Sequence, residues 1–319
     1  MKSRFVLFTP EPFPDSAVAQ LDARFELRIG RTGGAYTEDE LIEQLADVDG
    51  VAIYSRDHLT ARVLSHAPRL KVIAKGGSKP TSNVDIAAAQ ARGIRVTWTP
   101  GANAVGVAEM TMALILAVVR QLFEWRQRLR DGRWRSFDLL GRELAGMTLG
   151  LVGFGAVGRE VATRYRAFGG PVLAHDPWLD TGVADRLGVR GASLDELLGQ
   201  ADIVSLHCEL NNATARLIDS TALAQMKRGA ILVNTARGGL VDEEALLVAL
   251  DGGQLAAVAL DVFADEPPPR NAPLLSHPRV LATPHVSAFT AESIHRESAW
   301  ALEDATRVLL GLEPVHGAV

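Results

Sequence analysis

A glycine-rich segment in the middle of the chain, GLVGFGAVGRE at residues 150–160, constrains the possible folds more than any other stretch. The apolar run before it, residues 147–152, and the amphipathic run after it predict a strand, a tight turn and a helix. A second apolar run, residues 171–174, is followed by an acid, Asp176, eighteen residues beyond Gly158. A glycine triplet within such a strand, turn, helix, strand and acid unit is typical of a dinucleotide site.

The three glycines, Gly153, Gly155 and Gly158, predict how a dinucleotide binds. They let the backbone turn sharply and approach a pyrophosphate at the helix N-terminus, where free N–H groups and the helix dipole favour anions. Asp176 can accept hydrogen bonds from both ribose hydroxyls, and no Arg or Lys follows it in DPWLDTG to receive a 2′-phosphate. We therefore predict NAD rather than NADP as the cofactor.

The composition suits a globular protein of two domains, with 319 residues of which 47% are apolar and 22% are charged. The net charge of −5 gives no electrostatic footprint for nucleic acid. The one cysteine, Cys208, excludes an intrachain disulfide, and the apolar run at residues 4–9 is too short for a signal peptide. No stretch is a convincing membrane span, so we expect a cytoplasmic protein that binds neither nucleic acid nor a membrane.

Residues 1–99 alternate strand and helix signals, which predicts a parallel, doubly wound sheet. One helix begins at the capping box of residues 37–40, and another, residues 84–92, ends at Gly93. A long helical pattern then runs from about Ala104 to Arg130, and its apolar half is either an internal core helix or a dimer seam. The strands are predicted at Phe5–Phe8, Phe25–Ile29, Val51–Tyr54, Lys71–Ala74 and Ile94–Trp98.

A second series of six strands begins at Met147 and predicts a complete dinucleotide-binding sheet. A last helix, at about residues 292–310, follows this complete series, so we expect it to return to the first domain. The predicted α/β fold has two doubly wound parallel-sheet domains. A Rossmann NAD-binding domain, residues 100–285, is inserted into a flavodoxin-like substrate domain, residues 1–99 plus 286–319.

Three residues with suitable chemistry, Arg237, Glu266 and His285, follow strands of the second sheet. Ligands of doubly wound sheets bind beyond the carboxyl ends of the strands, so we expect these side chains to converge there. A 2-keto acid needs a cation for its carboxylate, which suits arginine. It also needs an acid to protonate its oxygen as hydride reaches carbon, which suits histidine, and a neighbouring carboxylate can orient that ring. No spacing of cysteine and histidine indicates a metal.

Five segments carry a family pattern over nearly the whole chain. They are RGIRVTWTPGANAVGVAEM, TLGLVGFGAVGRE, ILVNTARGGLVDEEAL, ALDVFADEP and TPHVS. With these segments the chain resembles the D-2-hydroxyacid dehydrogenase family, which includes phosphoglycerate dehydrogenase, glyoxylate/hydroxypyruvate reductase and D-lactate dehydrogenase. The resemblance implies Arg237 as the substrate-binding arginine, His285 as the general acid/base and Glu266 as the partner of His285.

The resemblance also implies further contacts with the cofactor. Asp261 is expected near the nicotinamide amide, although it could instead cap a turn. Arg159 is expected at the pyrophosphate, although it could instead pair with the helix face of Glu160. The remaining predicted cofactor contacts are Ala156, Val157, Thr235 and Ala236.

One loop departs from the family pattern A-R-x-G-x-G-x-D-N-I-D, in which loop amides hold the substrate carboxylate. This chain reads AKGGSKPTSNVD at residues 74–85, which is one residue longer, with Lys79 near the expected second glycine. We predict that Gly77 and Ser78 offer amides to the substrate. Lys79 either adds a cation for a second anionic group or is a solvated loop lysine. Ser55, after the third strand, is a further candidate for substrate binding.

These observations predict an NAD-dependent, homodimeric enzyme that interconverts a small 2-keto acid and its D-2-hydroxy acid. A formate dehydrogenase of similar fold is disfavoured because that resemblance would place glutamine where Glu266 stands. The alternative is a catalytically weak NAD(H)-sensing protein that uses the same fold to recruit a partner. Turnover with 2-keto acids separates these two functions.

Overall fold

The structure, a computed structural model, describes residues 3–7, 18, 21, 24–31, 34–54, 56–77 and 79–319. Ser55, Ser78 and the end of the first predicted strand, Phe8, lie outside these described residues. The chain forms two compact units, Met1–Asn103 with Phe289–Val319 and Ala104–Ala288.

The strands and helices of the described chain are these, in order. The strands are β1 (Arg4–Leu7), β2 (Glu26–Ile29), β3 (Gly50–Ile53), β4 (Val72–Lys75), β5 (Arg95–Trp98), β6 (Leu149–Val152), β7 (Val172–His175), β8 (Val189–Gly191), β9 (Ile203–Leu206), β10 (Ala230–Asn234), β11 (Leu255–Leu260), β12 (Val280–Ala282) and β13 (Gly317–Ala318). The α-helices are α1 (Glu38–Leu45), α2 (Ala61–Ser65), α3 (Ile86–Ala91), α4 (Ala104–Val119), α5 (Leu122–Arg130), α6 (Ala156–Ala167), α7 (Thr181–Leu187), α8 (Leu194–Gln200), α9 (Ser220–Gln225), α10 (Glu243–Asp251), α11 (Pro273–Ser276) and α12 (Ala291–Leu309).

The sheet of the first unit has the strand order β13-β5-β4-β3-β1-β2. Its strands pair in parallel except β13, which adds antiparallel to β5. Without β13 this is the flavodoxin-like order 2-1-3-4-5, as expected. The last long helix, α12, packs on β3, β4 and β5, so its predicted return to this sheet is confirmed.

The predicted capping box at the start of α1 is also confirmed. The Thr37 side chain accepts from the Glu40 N–H, and the Glu40 carboxylate accepts from the Thr37 N–H at 2.7 Å. Helix α8 begins without a complete capping box. Ser193 accepts from the Glu196 N–H at 3.1 Å, but the Glu196 carboxylate pairs with Arg190 instead of returning to the cap.

The second unit holds an all-parallel sheet in the order β12-β11-β10-β9-β6-β7-β8. Counted from β6, this contains the Rossmann order 3-2-1-4-5-6 and confirms the predicted fold class. Successive residues of one strand face opposite cores: Val204 packs in the core beneath α8, α9 and α10, whereas Ile203 packs in the core with α4 and α6. Burial on both faces explains why these strands are continuous apolar runs rather than alternating ones.

Two expectations for the second unit were wrong. The predicted helix 104–130 is two helices, because Gln121 has φ of 52°, in the left-handed region, and the chain bends by 57° between α4 and α5. A seventh strand, β8, was missed, because a strand of three residues at a sheet edge is too short to show a period.

Nine of the sixteen residues of α4 are buried, as the core-helix interpretation requires.

No single helix of the described chain is long and apolar enough to cross a membrane. By length and composition alone, the bent pair α4 and α5 passes the same test.

Candidate active site

The glycine turn after β6 has the geometry of an anion-binding helix start. Gly153 has φ of 99°, which favours glycine, and a Cβ at Gly158 would lie 2.4 Å from the Gly153 carbonyl oxygen. The turn therefore requires glycine at both positions. Helix α6 begins directly after its N-cap, Gly155, and among the described residues no side chain caps its first-turn N–H groups. These groups fit the pyrophosphate of a dinucleotide, as the sequence predicts.

Asp176 lies beside this turn, directly after β7. Its Oδ2 accepts from the Phe154 N–H at 2.8 Å and its Oδ1 accepts from the Trp178 N–H at 2.9 Å. Because each carboxylate oxygen has two lone-pair sites, both still have capacity for a ribose hydroxyl. Two backbone N–H groups, one of them in the glycine turn, thus hold the carboxylate in place.

Arg159 is held against the glycine turn rather than paired with Glu160. Its Nε donates to the Phe154 carbonyl at 3.0 Å, and its guanidinium carbon lies 5.8 Å from the centre of the Phe154 ring. Glu160 pairs with Arg164 instead. The guanidinium of Arg159 therefore keeps donors for an anion at this turn.

The imidazole and carboxylate predicted to act together do meet. The Nδ1 of His285 lies 2.6 Å from Glu266 Oε2, and Glu266 Oε1 accepts from the Phe263 N–H at 3.0 Å. Facing a carboxylate, Nδ1 is assigned the ring proton, and Nε2 is then the ring atom that can exchange a proton with a ligand. The His285 side chain is 48% exposed, so a ligand can reach it.

His285 has a backbone conformation that non-glycine residues rarely adopt, with φ of 54°. Its N–H donates to the carbonyl of buried Asp261 at 2.7 Å. The Asp261 carboxylate accepts from the N–H groups of Val286 and Ser287 at 2.9 and 2.8 Å, and from the hydroxyl of Thr283 at 2.5 Å. Asp261 therefore ties the 283–287 turn, which is the capping alternative considered from the sequence, and its contact with nicotinamide stays a prediction.

Arg237 is exposed at the end of the segment that follows β10. Its Nη1 donates to the Ala236 carbonyl at 2.5 Å. The next residue, Gly238, lies so close to the segment before Glu266 that a Cβ there would be 1.9 Å from the Phe263 carbonyl carbon. Contacts therefore run from the Arg237 segment through Phe263 to Glu266 and His285.

One residue of this site, Asn234, is not among the residues predicted from the sequence. It is fully buried at the end of β10, where its Nδ2 donates to the Arg237 carbonyl at 2.9 Å and its Oδ1 accepts from the Ala236 N–H at 3.0 Å. It thereby clamps the turn that carries Arg237. A polar residue ending an apolar strand was the available signal. Thr235, a predicted cofactor contact, is buried with its hydroxyl 2.9 Å from that of Thr111, and Ala236 is half-buried.

In the first unit, the loop after β4 carries the predicted substrate contacts Gly77 and Lys79. The Gly77 N–H is buried and donates to Thr99 Oγ1 at 2.7 Å, so it already has an acceptor within this unit. The sequence does not reveal this bond, because Thr99 is remote in sequence and its position depends on the neighbouring strand, and the contact of Gly77 with a substrate stays a prediction. Lys79 is exposed at the start of the 3₁₀ turn Pro80–Ser82.

Comparison with known proteins identifies the family of this chain. The family model of the D-isomer specific 2-hydroxyacid dehydrogenase NAD binding domain matches residues 112–287. The chain belongs to this family. The match confirms the family and the cofactor that the sequence predicts.

Members of the D-2-hydroxyacid dehydrogenase family align with most of the chain. Hydroxypyruvate reductase of Thermotoga maritima is 39% identical over 296 residues, which cover 92% of this chain and 95% of that protein. D-3-phosphoglycerate dehydrogenase of Homo sapiens is 40% identical over 260 residues, which cover 82% of this chain. The match covers only 48% of the human protein, so this chain spans about half the length of the phosphoglycerate dehydrogenase.

A solved structure is similar to nearly the whole chain. The crystal structure of the TT0316 protein from Thermus thermophilus matches with a TM-score of 0.89 and 39% identity, over 99% of this chain and 100% of that chain.

Proposed function

We propose that this chain is an NAD-dependent oxidoreductase that interconverts a small 2-keto acid and its D-2-hydroxy acid. The observation that carries the proposal is the 2.6 Å contact between His285 Nδ1 and Glu266 within an NAD-binding domain. An imidazole held by a carboxylate in this way can deliver a proton and take it back. NADH, when bound, supplies the hydride for reduction of the keto carbon.

In this mechanism Arg237 holds the substrate carboxylate and polarises the keto oxygen. The planar guanidinium carries five N–H donors, which match the two oxygens of a carboxylate. The clamp by Asn234 fixes the backbone of Arg237, so the position of the guanidinium is limited to rotations of its own side chain.

His285 protonates the keto oxygen from Nε2 during reduction. Glu266 stabilises the charged imidazole before transfer and keeps Nδ1 protonated after it, so that Nε2 alone changes its proton. Both oxygens of the Glu266 carboxylate are bound, one by His285 and the other by the Phe263 N–H. These two bonds keep the carboxylate from rotating away from the ring. In the oxidising direction the same atoms run in reverse, and Nε2 takes the hydroxyl proton.

For the substrate, we propose a three-carbon 2-keto acid of the hydroxypyruvate type, with or without a phosphate. Two relatives support this class, one named for hydroxypyruvate and the other for 3-phosphoglycerate. We assign the unit Met1–Asn103 with Phe289–Val319 as the substrate domain. Within it, Lys79, Ser78 and Ser55 are the proposed substrate contacts.

The test is oxidation of NADH, with NADPH in parallel, by the purified protein. The panel contains hydroxypyruvate, 3-phosphohydroxypyruvate, glyoxylate, pyruvate, 2-ketoglutarate, oxaloacetate and phenylpyruvate. Turnover that needs NADH and disappears in His285→Ala supports the proposal. Tight binding of NADH without turnover of any member would instead support the NAD(H)-sensing protein.

We also propose that the chain is a cytoplasmic homodimer. Large apolar side chains of α5 and the segment after it are exposed to solvent, including Trp134 at 75% and Phe137 at 93%. If two copies of the chain paired through this surface, the exposed side chains of α5 and of the segment after it would be buried against each other. Light scattering after gel filtration tests this: the wild type should have twice the chain mass, and Trp134→Ser/Phe137→Ser should be monomeric. The exposed Arg190→Ala is the matched control.

A further inference from the structure

Glu297 is a buried carboxyl group that the mechanism above does not use. It lies on α12, in the first unit, and is only 6% exposed. Burial of a carboxylate is unfavourable unless other groups compensate, so its retention in the core calls for a physical role.

Two segments of the chain converge on this carboxylate. Its Oε1 accepts from Asn103 Nδ2 at 2.8 Å and would lie 3.2 Å from a Cβ placed on Gly77. The Gly77 N–H is held on the other side by Thr99 Oγ1 at 2.7 Å. The turn after β4 is thus fixed between the 99–103 segment and Glu297.

The charged and titratable groups around Glu297 come from three parts of the first unit. Lys75, at the end of β4, is 2% exposed and favours the ionised carboxylate, as does Arg296 on α12. The Arg296 Nε donates to the Ala102 carbonyl at 2.8 Å. Tyr54, after β3, has its hydroxyl 2.8 Å from Ser298 Oγ, and burial together with the charge of Glu297 raises the pKa of that phenol.

We propose that Glu297 is a positioning residue for substrate binding, whose negative charge holds the turn from Lys75 to Gly77 in its binding conformation. Its charge attracts the Lys75 ammonium at the beginning of the turn, and its Oε1 lies beside Gly77, two residues later, where a Cβ would be 3.2 Å away. Loss of the charge removes the electrostatic attraction between Glu297 and Lys75 and weakens the hydrogen bond from Asn103. Lys79, the proposed substrate contact, follows two residues after Gly77, so its position depends on this turn. The inference rests on the proposed function of that loop.

Burial raises the pKa of Glu297 to about 7, although the Asn103 hydrogen bond and the charges of Lys75 and Arg296 oppose the change. The carboxyl therefore changes its charge within the neutral range. Substrate affinity should fall as the pH falls through this value, in addition to any effect of the groups in the second unit.

The experiment compares the wild type with Glu297→Gln, which keeps an oxygen acceptor for Asn103 but carries no charge and so mimics the protonated carboxyl. The ratio of KM, variant to wild type, is expected to be roughly fivefold at pH 8 and near one at pH 6, with kcat unchanged at both. Glu292→Gln, an exposed position on the same helix, is the control and should give a ratio near one throughout. A Glu297→Gln ratio of one at both pH values, or a fall in kcat with KM unchanged, would overturn the inference.

A second measurement does not need a substrate. Hydrogen–deuterium exchange of the Gly77 amide should be roughly fivefold faster in Glu297→Gln than in the wild type at pH 8, and equal at pH 6. Equal rates at pH 8 would overturn the inference. If the wild type turned over no 2-keto acid, the proposed function would fail, whereas these exchange rates would still decide the role of Glu297. Should Glu297→Gln not fold, Asn103→Ala should accelerate the same amide, and an unchanged rate would count against the role.

Discussion

His285 and Glu266 are joined by a 2.6 Å contact between Nδ1 and Oε2, and the opposite oxygen of the same carboxylate is bound to the backbone N–H of Phe263. The pair is therefore anchored to the main chain on the carboxylate side and, through the His285 N–H, on the histidine side as well. In the proposed mechanism Glu266 orients the ring and His285 transfers the proton, and the two roles predict different kinetic losses.

Replacement of His285 by alanine should lower kcat by roughly 100- to 10,000-fold with little change in KM, because the proton donor acts in the transition state. Glu266→Gln keeps an acceptor for the Phe263 N–H but loses the charge beside the ring, so we expect a smaller loss of about 10- to 100-fold. Steady-state kinetics with the best substrate of the panel measures both. Equal losses in the two variants would contradict the division of roles.

Arg237→Ala should raise KM and lower kcat together, because in the proposed mechanism the guanidinium binds the substrate carboxylate and also polarises the keto oxygen. Loss of two charge-assisted hydrogen bonds predicts a fall in kcat/KM on the order of 100-fold. Arg190→Ala, which removes an exposed arginine of the same unit, is the control. A variant with normal kcat and a raised KM would leave Arg237 with a binding role alone.

Asp176→Asn should change the preference between cofactors. The amide keeps an acceptor for the Phe154 N–H, but it removes the negative charge that repels a 2′-phosphate. We expect kcat/KM for NADH to fall about 10-fold and that for NADPH to rise. Asp185→Asn, at an exposed position on α7, should leave both values unchanged. If the ratio between the two cofactors did not move, Asp176 would not be the discriminating group.

Lys79→Ala tests whether the unusual loop recognises a second anionic group. KM for 3-phosphohydroxypyruvate should rise about fivefold, as expected for an exposed ion pair, while KM for hydroxypyruvate stays the same. The two substrates differ only in the phosphate, so the comparison needs no other control. An equal KM for the phosphorylated substrate in variant and wild type would make Lys79 a solvated loop lysine.

Glu297 should make the stability of the protein depend on pH. Its pKa is raised in the folded state from an ordinary value of 4.5 to about 7, so its contribution to stability is fully present below pH 4.5 and is lost as the pH rises through 7. Relative to Glu297→Gln, the wild type should lose about 3 kcal/mol of unfolding free energy between pH 4.5 and pH 8. Denaturant titration followed by tryptophan fluorescence measures this difference, with Glu292→Gln as the control. A constant difference across this pH range would exclude the titration.

Much of the fold was predictable because its signals are local. The glycine turn, the capping box at Thr37 and Gly311, which follows α12, each act through backbone conformation within a few residues. The apolar strands of the second sheet were equally visible, since burial on both faces requires continuous apolar runs. The sequence did not reveal the break at Gln121, because glutamine is an ordinary helix residue and the bend depends on what surrounds it.

The candidate site was predictable as a set of residue types, but not as a set of contacts. Arg237, Glu266 and His285 stand out because each follows a strand whose carboxyl end faces the ligand side of a parallel sheet. The residues that hold the loops of the site in place did not stand out. Asn234 is one polar residue after an apolar run, and Glu297 is one acid in an amphipathic helix.

The sequence by itself determined the two doubly wound sheets, the dinucleotide turn and the chemistry available after the strands, because local backbone preference and hydrophobic period specify them. Only the tertiary structure decided that the Gly77 N–H is taken by Thr99, that Asp261 ties the turn of His285 and that Glu297 lies beneath the loop after β4. These pairs of residues lie between 22 positions apart, for Gly77 and Thr99, and 220 positions apart, for Gly77 and Glu297. Their geometry therefore depends on how strands and helices pack, which no local pattern encodes.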